Sequence, residues 1–233
     1  MSDRLAGIKD NLEKLQSRID KACQEAKRSS TEITLIAVTK TYSADDVDLL
    51  KQLGIDDVGE NKDQEASLKR TQVQADFNWH FIGQLQSNKA KSVVSYAHLI
   101  HSVDRPSLAK EIQKSAQGVE KKQAVLIQLD LDQSGPDPTR GGLWPTELMA
   151  LAQQITDSSH LELKGLMSVA PLGENPADAF ARLAVIRADF LKAYPQASIL
   201  SAGMSDDLEA AILHGATHLR IGSALLGERP KIG

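Results

Sequence analysis

The sequence predicts a single closed (β/α)8 barrel, of the class called TIM barrels, preceded by one extra helix. Three observations lead there. Short apolar runs of strand length alternate eight times with amphipathic stretches of helical period. Such alternation implies parallel strands joined by right-handed crossovers, and eight units favour closure over an open doubly wound sheet. Finally, the 233 residues contain no linker, internal repeat or low-complexity tract, so residues 1–233 read as one domain.

The elements follow in order. Leu5, Ile8, Leu12, Leu15, Ile19 and Cys23 recur at the spacing of one helix face. That helix is capped by Ser2 or Asp3 and runs to about Arg28. Within the stripe Cys23 reads as a small core residue rather than a reactive thiol. Strands are expected at 33–39, 57–59, 79–82, 98–103, 124–130, 163–168, 198–201 and 218–221, the second being weakest by periodicity. Helices are expected between them at 44–53, 61–70, 87–96, 107–117, 145–157, 176–193 and 206–214. DQSGPDPTRGG at 132–142 is the one long irregular segment.

Composition excludes several function classes. A formal net charge of -4 provides no basic surface for nucleic acid or an anionic membrane. The apolar runs are only strand-length and the N-terminal stretch is polar and amphipathic, so neither a membrane span nor a signal peptide is expected. A single cysteine allows no internal disulfide and suits a reducing cytoplasm.

In such barrels the active site lies at the C-terminal strand ends. TLIAVTK ends the first strand in Lys40, which shares parity with Ile36 and Val38. An amine withdrawn from water is more readily neutral, as a Schiff base with an aldehyde requires; the competing reading is a lysine snorkelling into solvent. After strand seven, SAGMSDD supplies Ser201, Gly203 and Ser205 at a helix start; after strand eight, RIGSALLG supplies Gly222 and Ser223. Small residues with free N–H groups at these two adjacent ends suit a phosphate cup. Arg220 shares parity with Gly222 and faces inward. Together these requirements suit a phosphorylated aldehyde, and pyridoxal 5′-phosphate meets them.

AVTK at 37–40, GEN at 59–61, WHFIGQLQSNK at 79–89, GLMSVAP at 165–171, GMSDD at 203–207 and RIGSALLG at 220–227 resemble the pyridoxal-phosphate homeostasis protein family. The resemblance spans nearly the whole chain and implies a fold like the N-terminal barrel domain of alanine racemase. It implies that Lys40 is the internal aldimine lysine, and that Ser201, Gly203, Met204, Ser205, Gly222 and Ser223 surround the phosphate. Arg220 would then meet the pyridine nitrogen, and Asn61 and Met167 would line the pocket. An arginine offers only donors, so the ring nitrogen stays unprotonated and the cofactor is a weaker electron sink. Asn61 also reads as a cap for the following helix, Met167 as core filler, and His80 as a hydrogen-bonded core histidine. Lys62 departs from the family pattern, where an aromatic residue often follows GEN; Thr139–Gly142 carries a recurrent basic residue and glycines.

No metal site or catalytic residue is expected. His98 and His101 fall on a strand with opposite parity, Gly215 separates His214 from His218, and no cysteine joins them. No serine stands in a nucleophile elbow. The resemblance therefore implies a carrier that holds the cofactor and influences pools of it and of amino acids. Two alternatives are an amino-acid racemase and a Schiff-base aldolase acting on a sugar phosphate. Racemisation needs a second acid/base group opposite Lys40. Alanine racemase draws that tyrosine from another subunit through a second β domain, for which a chain ending at Gly233 leaves no room. Tyr42 near Lys40 reads as loop packing, and a monomer, or at most a weak dimer, is expected.

Overall fold

The computed structural model describes residues 3–133 and 141–227. Eight parallel strands close into a barrel in simple sequential order. The first half runs α1 Asp3–Glu25, β1 Thr34–Val38, α2 Ala44–Gln52, β2 Asp57–Glu60, α3 Asp63–Gln72, β3 Asn78–Phe81, α4 Ala90–Tyr96 and β4 Leu99–Val103. The second runs α5 Pro106–Gln117, β5 Gln123–Leu129, α6 Leu148–Thr156, β6 Leu161–Ser168, α7 Pro176–Ala193, β7 Ile199–Ser201, α8 Leu208–Leu213, β8 His218–Ile221 and α9 Ser223–Leu226. All eight expected strands are present, the weakly periodic second one included.

Alternation along the strands sorts side chains into two layers. Ala37, Val58, Phe81, Ile100, Ile127, Leu166, Leu200 and Leu219 belong to the main apolar cluster shared with the helices. The opposite set follows the strand register: Ile36 beside Arg220, Gly59 beside His80, His80 beside Leu99, Met167 beside Ser201. This inner layer is mixed. Leu99, Leu126 and Met167 form a small separate apolar cluster, whereas His80, His101, Ser201 and Arg220 are polar and buried.

The extra helix does specific work. Its stripe Leu5, Ile8, Leu15, Ile19 and Cys23 is buried, and α1 packs on α8 and α9. Arg18 donates to the Ser205 carbonyl at 2.9 Å and pairs with Glu209, while Asn11 donates to the Leu225 carbonyl at 3.1 Å. With α9 only four residues long, α1 provides the helical cover for this end of the barrel.

Boundaries depart from expectation where side chains compete with the helix. The helix expected from 206 begins at Leu208, because the Asp207 carboxylate turns back to accept the Met204 N–H at 2.6 Å. The first helix stops at Glu25, and Lys27 takes φ 54°. α9 was not anticipated. His98 and His101, expected on opposite faces, both bring their rings to His80, at 5.6 and 5.1 Å between centroids. His98 precedes β4, so strand alternation does not govern it. Ser2, Thr139 and Arg140 lie outside the described residues.

Gly165 makes the closest backbone approach in the barrel wall. A Cβ there would sit 1.9 Å from the Ile199 carbonyl oxygen, and φ is +150°. Gly165→Ala is therefore expected to destabilise the barrel by about 3 kcal/mol or more, through steric conflict and backbone strain. Urea denaturation of the two proteins measures this directly.

Candidate functional site

Closure brings β1 against β8, with Thr34–Ala37 in register with His218–Ile221. Lys40, two residues past β1, thus shares the barrel mouth with the segment after β8. A Cβ on Gly222 would lie 3.6 Å from the Val38 carbonyl oxygen, so the glycine runs beside the backbone that leads to Lys40.

The peptides flanking Lys40 are held tightly. The Thr39 N–H donates to the Gly59 carbonyl at 3.0 Å, and its hydroxyl donates to Glu60 Oε1 at 2.7 Å. Lys69 Nζ donates to the Thr39 carbonyl at 2.7 Å, and pairs with Glu60 at 2.6 Å and Glu65 at 3.0 Å. Glu65 in turn accepts the Thr41 N–H. Thr41 has φ 72°, a left-handed conformation that a β-branched residue adopts only under constraint. Its hydroxyl is buried without a hydrogen-bond partner, as is Glu60 Oε2. Lys40 itself is half-buried. An ion pair and a strained residue thus fix the backbone on both sides of the one lysine at this strand end.

The residues expected to form the cup follow β7 and β8, at adjacent strand ends. Gly203 has φ +94°, and a Cβ there would meet Ala211 Cβ at 2.7 Å and Leu219 Cδ2 at 2.9 Å. Its carbonyl accepts the Arg220 N–H at 3.0 Å, tying the two loops together. Met204 and Ser223 are exposed and Ser205 and Gly222 half-buried. Within α9 the Leu225 and Leu226 N–H groups donate to the Gly222 carbonyl at 3.0 and 2.9 Å.

Arg220 is almost wholly buried. It donates from Nη1 to Ser201 Oγ at 2.7 Å and from Nη2 to the Ser168 carbonyl at 2.9 Å. Burial lowers its pKa to about 10, with the charge of Asp207 opposing the fall, so it remains a cation at neutral pH. Ser201 is fully buried, with its oxygen engaged by Arg220 and by His101 Nδ1 at 2.9 Å. It is therefore set among the inner-layer polar groups. Met167 is buried against Leu99 and Leu126 beneath the mouth.

Asn61 is half-buried and does not cap α3, whose N-cap is Lys62. It faces a cleft of about 290 Å³ lined also by exposed Lys62, Phe81, Gln84, Gln86 and Lys89. Gly83 is obligatory beside it, since a Cβ would fall 2.1 Å from the Asn61 carbonyl oxygen.

Sequence reasoning missed the Glu60–Lys69–Glu65 support and the strain at Thr41. The i,i+4 spacing of Glu65 and Lys69 on a helix was a visible signal; the φ of Thr41 left none. Among the described residues no three His, Cys, Asp or Glu side chains are grouped to hold a metal ion.

The alanine racemase N-terminal domain family matches residues 7–230. The pyridoxal phosphate homeostasis protein of Corynebacterium glutamicum is 37% identical over 223 residues, covering 93% of this chain and 99% of its own. This chain belongs to the pyridoxal phosphate homeostasis protein family. Among solved structures, PipY of Synechococcus elongatus with PLP bound is 32% identical at a TM-score of 0.82, covering 94% of this chain and 100% of that one. Clostridium difficile alanine racemase, 15% identical at a TM-score of 0.71, shares the fold; the match takes in 96% of this chain and 58% of that enzyme. The homeostasis-family chain is thus the counterpart of the racemase barrel.

Burial holds the Glu60 carboxyl above its usual range, and Lys69 opposes that rise. Lys69→Met leaves the buried carboxylate unpaired and is expected to cost about 3–5 kcal/mol at neutral pH. Removing the cation raises the folded-state pKa of Glu60 further, so the folded variant gains from protonation. Its deficit against the parent should narrow as the pH falls from about 7 to about 5. Urea melts at the two pH values measure both effects.

Proposed function

We propose that this protein binds pyridoxal 5′-phosphate at the barrel mouth and serves in cofactor and amino-acid homeostasis, with little or no turnover of its own. The β1–β8 pairing supports the reading, since it brings the Gly222 turn beside the backbone that leads to Lys40. When bound, pyridoxal phosphate supplies an aldehyde able to condense with a neutral amine.

The donor set fits the group. Lys40 is the amine, held between two anchored peptides. Gly203, Met204, Ser205, Gly222 and Ser223 form the phosphate cup, where the glycines keep side-chain bulk away from the anion. Arg220, its lower edge committed to Ser201 and Ser168, turns its remaining donors toward the ring nitrogen. Ser201 orients Arg220 from beneath, and Met167 floors the pocket. Asn61 lines the rim. The PLP-bound PipY structure supports the assignment by close likeness over the full chain.

The carrier reading is favoured over a racemase by the tyrosines. Tyr42 is buried and its hydroxyl donates to the Gly227 carbonyl at 2.6 Å, with Arg4 over its ring. Tyr96 lies on α4, and Tyr194 follows α7 with its hydroxyl toward Gln153. None of them is a second acid opposite Lys40. We further take the chain to act as a monomer in the cytoplasm; no described helix is long and apolar enough to cross a membrane.

Purified protein mixed with pyridoxal phosphate should become yellow, and borohydride should fix the cofactor on the peptide containing Lys40. Lys40→Ala should lose that absorbance while keeping the parent circular-dichroism spectrum; an unchanged absorbance overturns the assignment. Arg220→Glu should alter the bound spectrum if the guanidinium meets the ring nitrogen. With L-alanine in deuterated water, sustained exchange and inversion would establish the racemase instead.

A further inference from the structure

Beneath Arg220 a continuous line of buried polar groups crosses the barrel. Arg220 Nη1 donates to Ser201 Oγ at 2.7 Å, and Ser201 Oγ lies 2.9 Å from His101 Nδ1. His101 Nε2 lies 2.9 Å from His80 Nδ1, and His80 Nε2 lies 2.9 Å from Asp57 Oδ1. Four strands from β7 and β8 round to β3 and β4 contribute, and β2 supplies Asp57 at its first residue, the end away from the mouth. His80, His101, Ser201 and Arg220 are all at most 5% exposed. Asp57 is the partly open end, at 21% side-chain exposure.

The two ends fix every hydrogen between them. A guanidinium only donates and a carboxylate only accepts, whereas a serine hydroxyl and a neutral imidazole each carry one hydrogen. His80 therefore donates from Nε2 to Asp57, which leaves its Nδ1 to accept. His101 supplies that bond from Nε2, which leaves its own Nδ1 to accept from the Ser201 hydroxyl. Ser201 in turn accepts from Arg220. All four bonds point from Arg220 to Asp57, and no other arrangement satisfies every atom while both histidines are neutral.

We propose that His80 and His101 are positioning residues: with Ser201 they form a one-way relay that transmits the state of Asp57 and His80 to the group holding Arg220. One added proton on His80 Nδ1 requires the upper bonds to reverse. His101 then carries its hydrogen on Nδ1 and donates to Ser201, whose own hydroxyl hydrogen must turn to a third partner. The Ser201 hydrogen beneath the ligand site thus reports a charge two rings away.

Burial keeps the imidazoles around His80 neutral at neutral pH. Titratable groups facing His80 are Asp57 on β2, His98 ahead of β4, His101 on β4 and His218 on β8, whose ring is 6.5 Å away. Burial, with the charges of neighbouring groups, holds His101 well below the usual imidazole range. Burial likewise lowers His98, and lowers His218 to about 4. Burial raises the Asp57 carboxyl, but hydrogen bonds from His80 and Asn78 outweigh this and keep it below its usual value.

Imidazole nitrogen NMR on the uniformly labelled, cofactor-free full chain tests the relay. At neutral pH both His80 and His101 should show Nε2–H and a bare Nδ1. Either ring as Nδ1–H, or averaging between tautomers, overturns the proposal. In Asp57→Asn, which touches His80 alone of the two, the His101 signals should shift or average; a change confined to His80 also overturns it. The link to ligand binding rests on the mouth being a pyridoxal phosphate site. For that arm, the pH profile of pyridoxal phosphate affinity should move in Asp57→Asn with Lys40 intact. Binding with an unmoved profile refutes the link, whereas absence of binding in the parent refutes the functional reading and leaves the NMR result to decide the relay.

Discussion

Closure of the barrel between its first and last strands is the constraint on which the site depends. Without the β1–β8 pairing, Lys40 and Gly222 would belong to opposite edges of an open sheet. With it, the glycine runs against the Val38 backbone, and Arg220 lies in register with Ile36 on the same inner layer. Parallel pairing also sends the free ends of all eight strands to one mouth. Lys40, the small residues after β7 and β8 and the buried Arg220 are then gathered without any one loop having to carry them all.

That convergence requires a polar barrel interior, which is costly unless each group finds a partner. Here the interior divides. Leu99, Leu126 and Met167 fill one part by ordinary packing, and the Arg220–Ser201–His101–His80–Asp57 line crosses the other by continuous hydrogen bonding. A buried guanidinium ordinarily demands an anion beside it. In this barrel its hydrogen-bond acceptors are a hydroxyl and a carbonyl; the Asp207 charge acts on it without a hydrogen bond between them, and the Asp57 carboxylate lies at the far end of the line. Such a cation suits a neutral acceptor at the mouth, and the ring nitrogen of pyridoxal phosphate is one.

Outside the interior, the backbone around Lys40 is held by a second polar group of a different kind. Glu60, Glu65 and Lys69 join the ends of β1 and β2 to α3, and they hold Thr41 in a conformation it would not choose alone. The Clostridium difficile racemase shares the barrel fold over only part of its own chain; the homeostasis-family chain is matched over nearly its whole length by its relatives.

Much of this was legible from residue order. Among the described residues, periodicity located eight strands and eight of the nine α-helices, and parity placed Ile36 and Arg220 on their faces, because strand alternation is local geometry. Small residues after strands seven and eight marked the two glycine turns, Gly203 and Gly222, that adjoin in the closed barrel. Where local rules lapse, the reading failed: a side chain capped the turn before α8, and His98 lay beyond the strand whose alternation would have turned it away. What residue order determined was the barrel, Lys40 at the end of the first strand and the small residues after the seventh and eighth, each written in a short contiguous stretch. Tertiary structure alone decided the strain at Thr41, the ion pair behind it and the line from Arg220 to Asp57, since these join residues distant in the chain through contacts that exist only once the strands have closed.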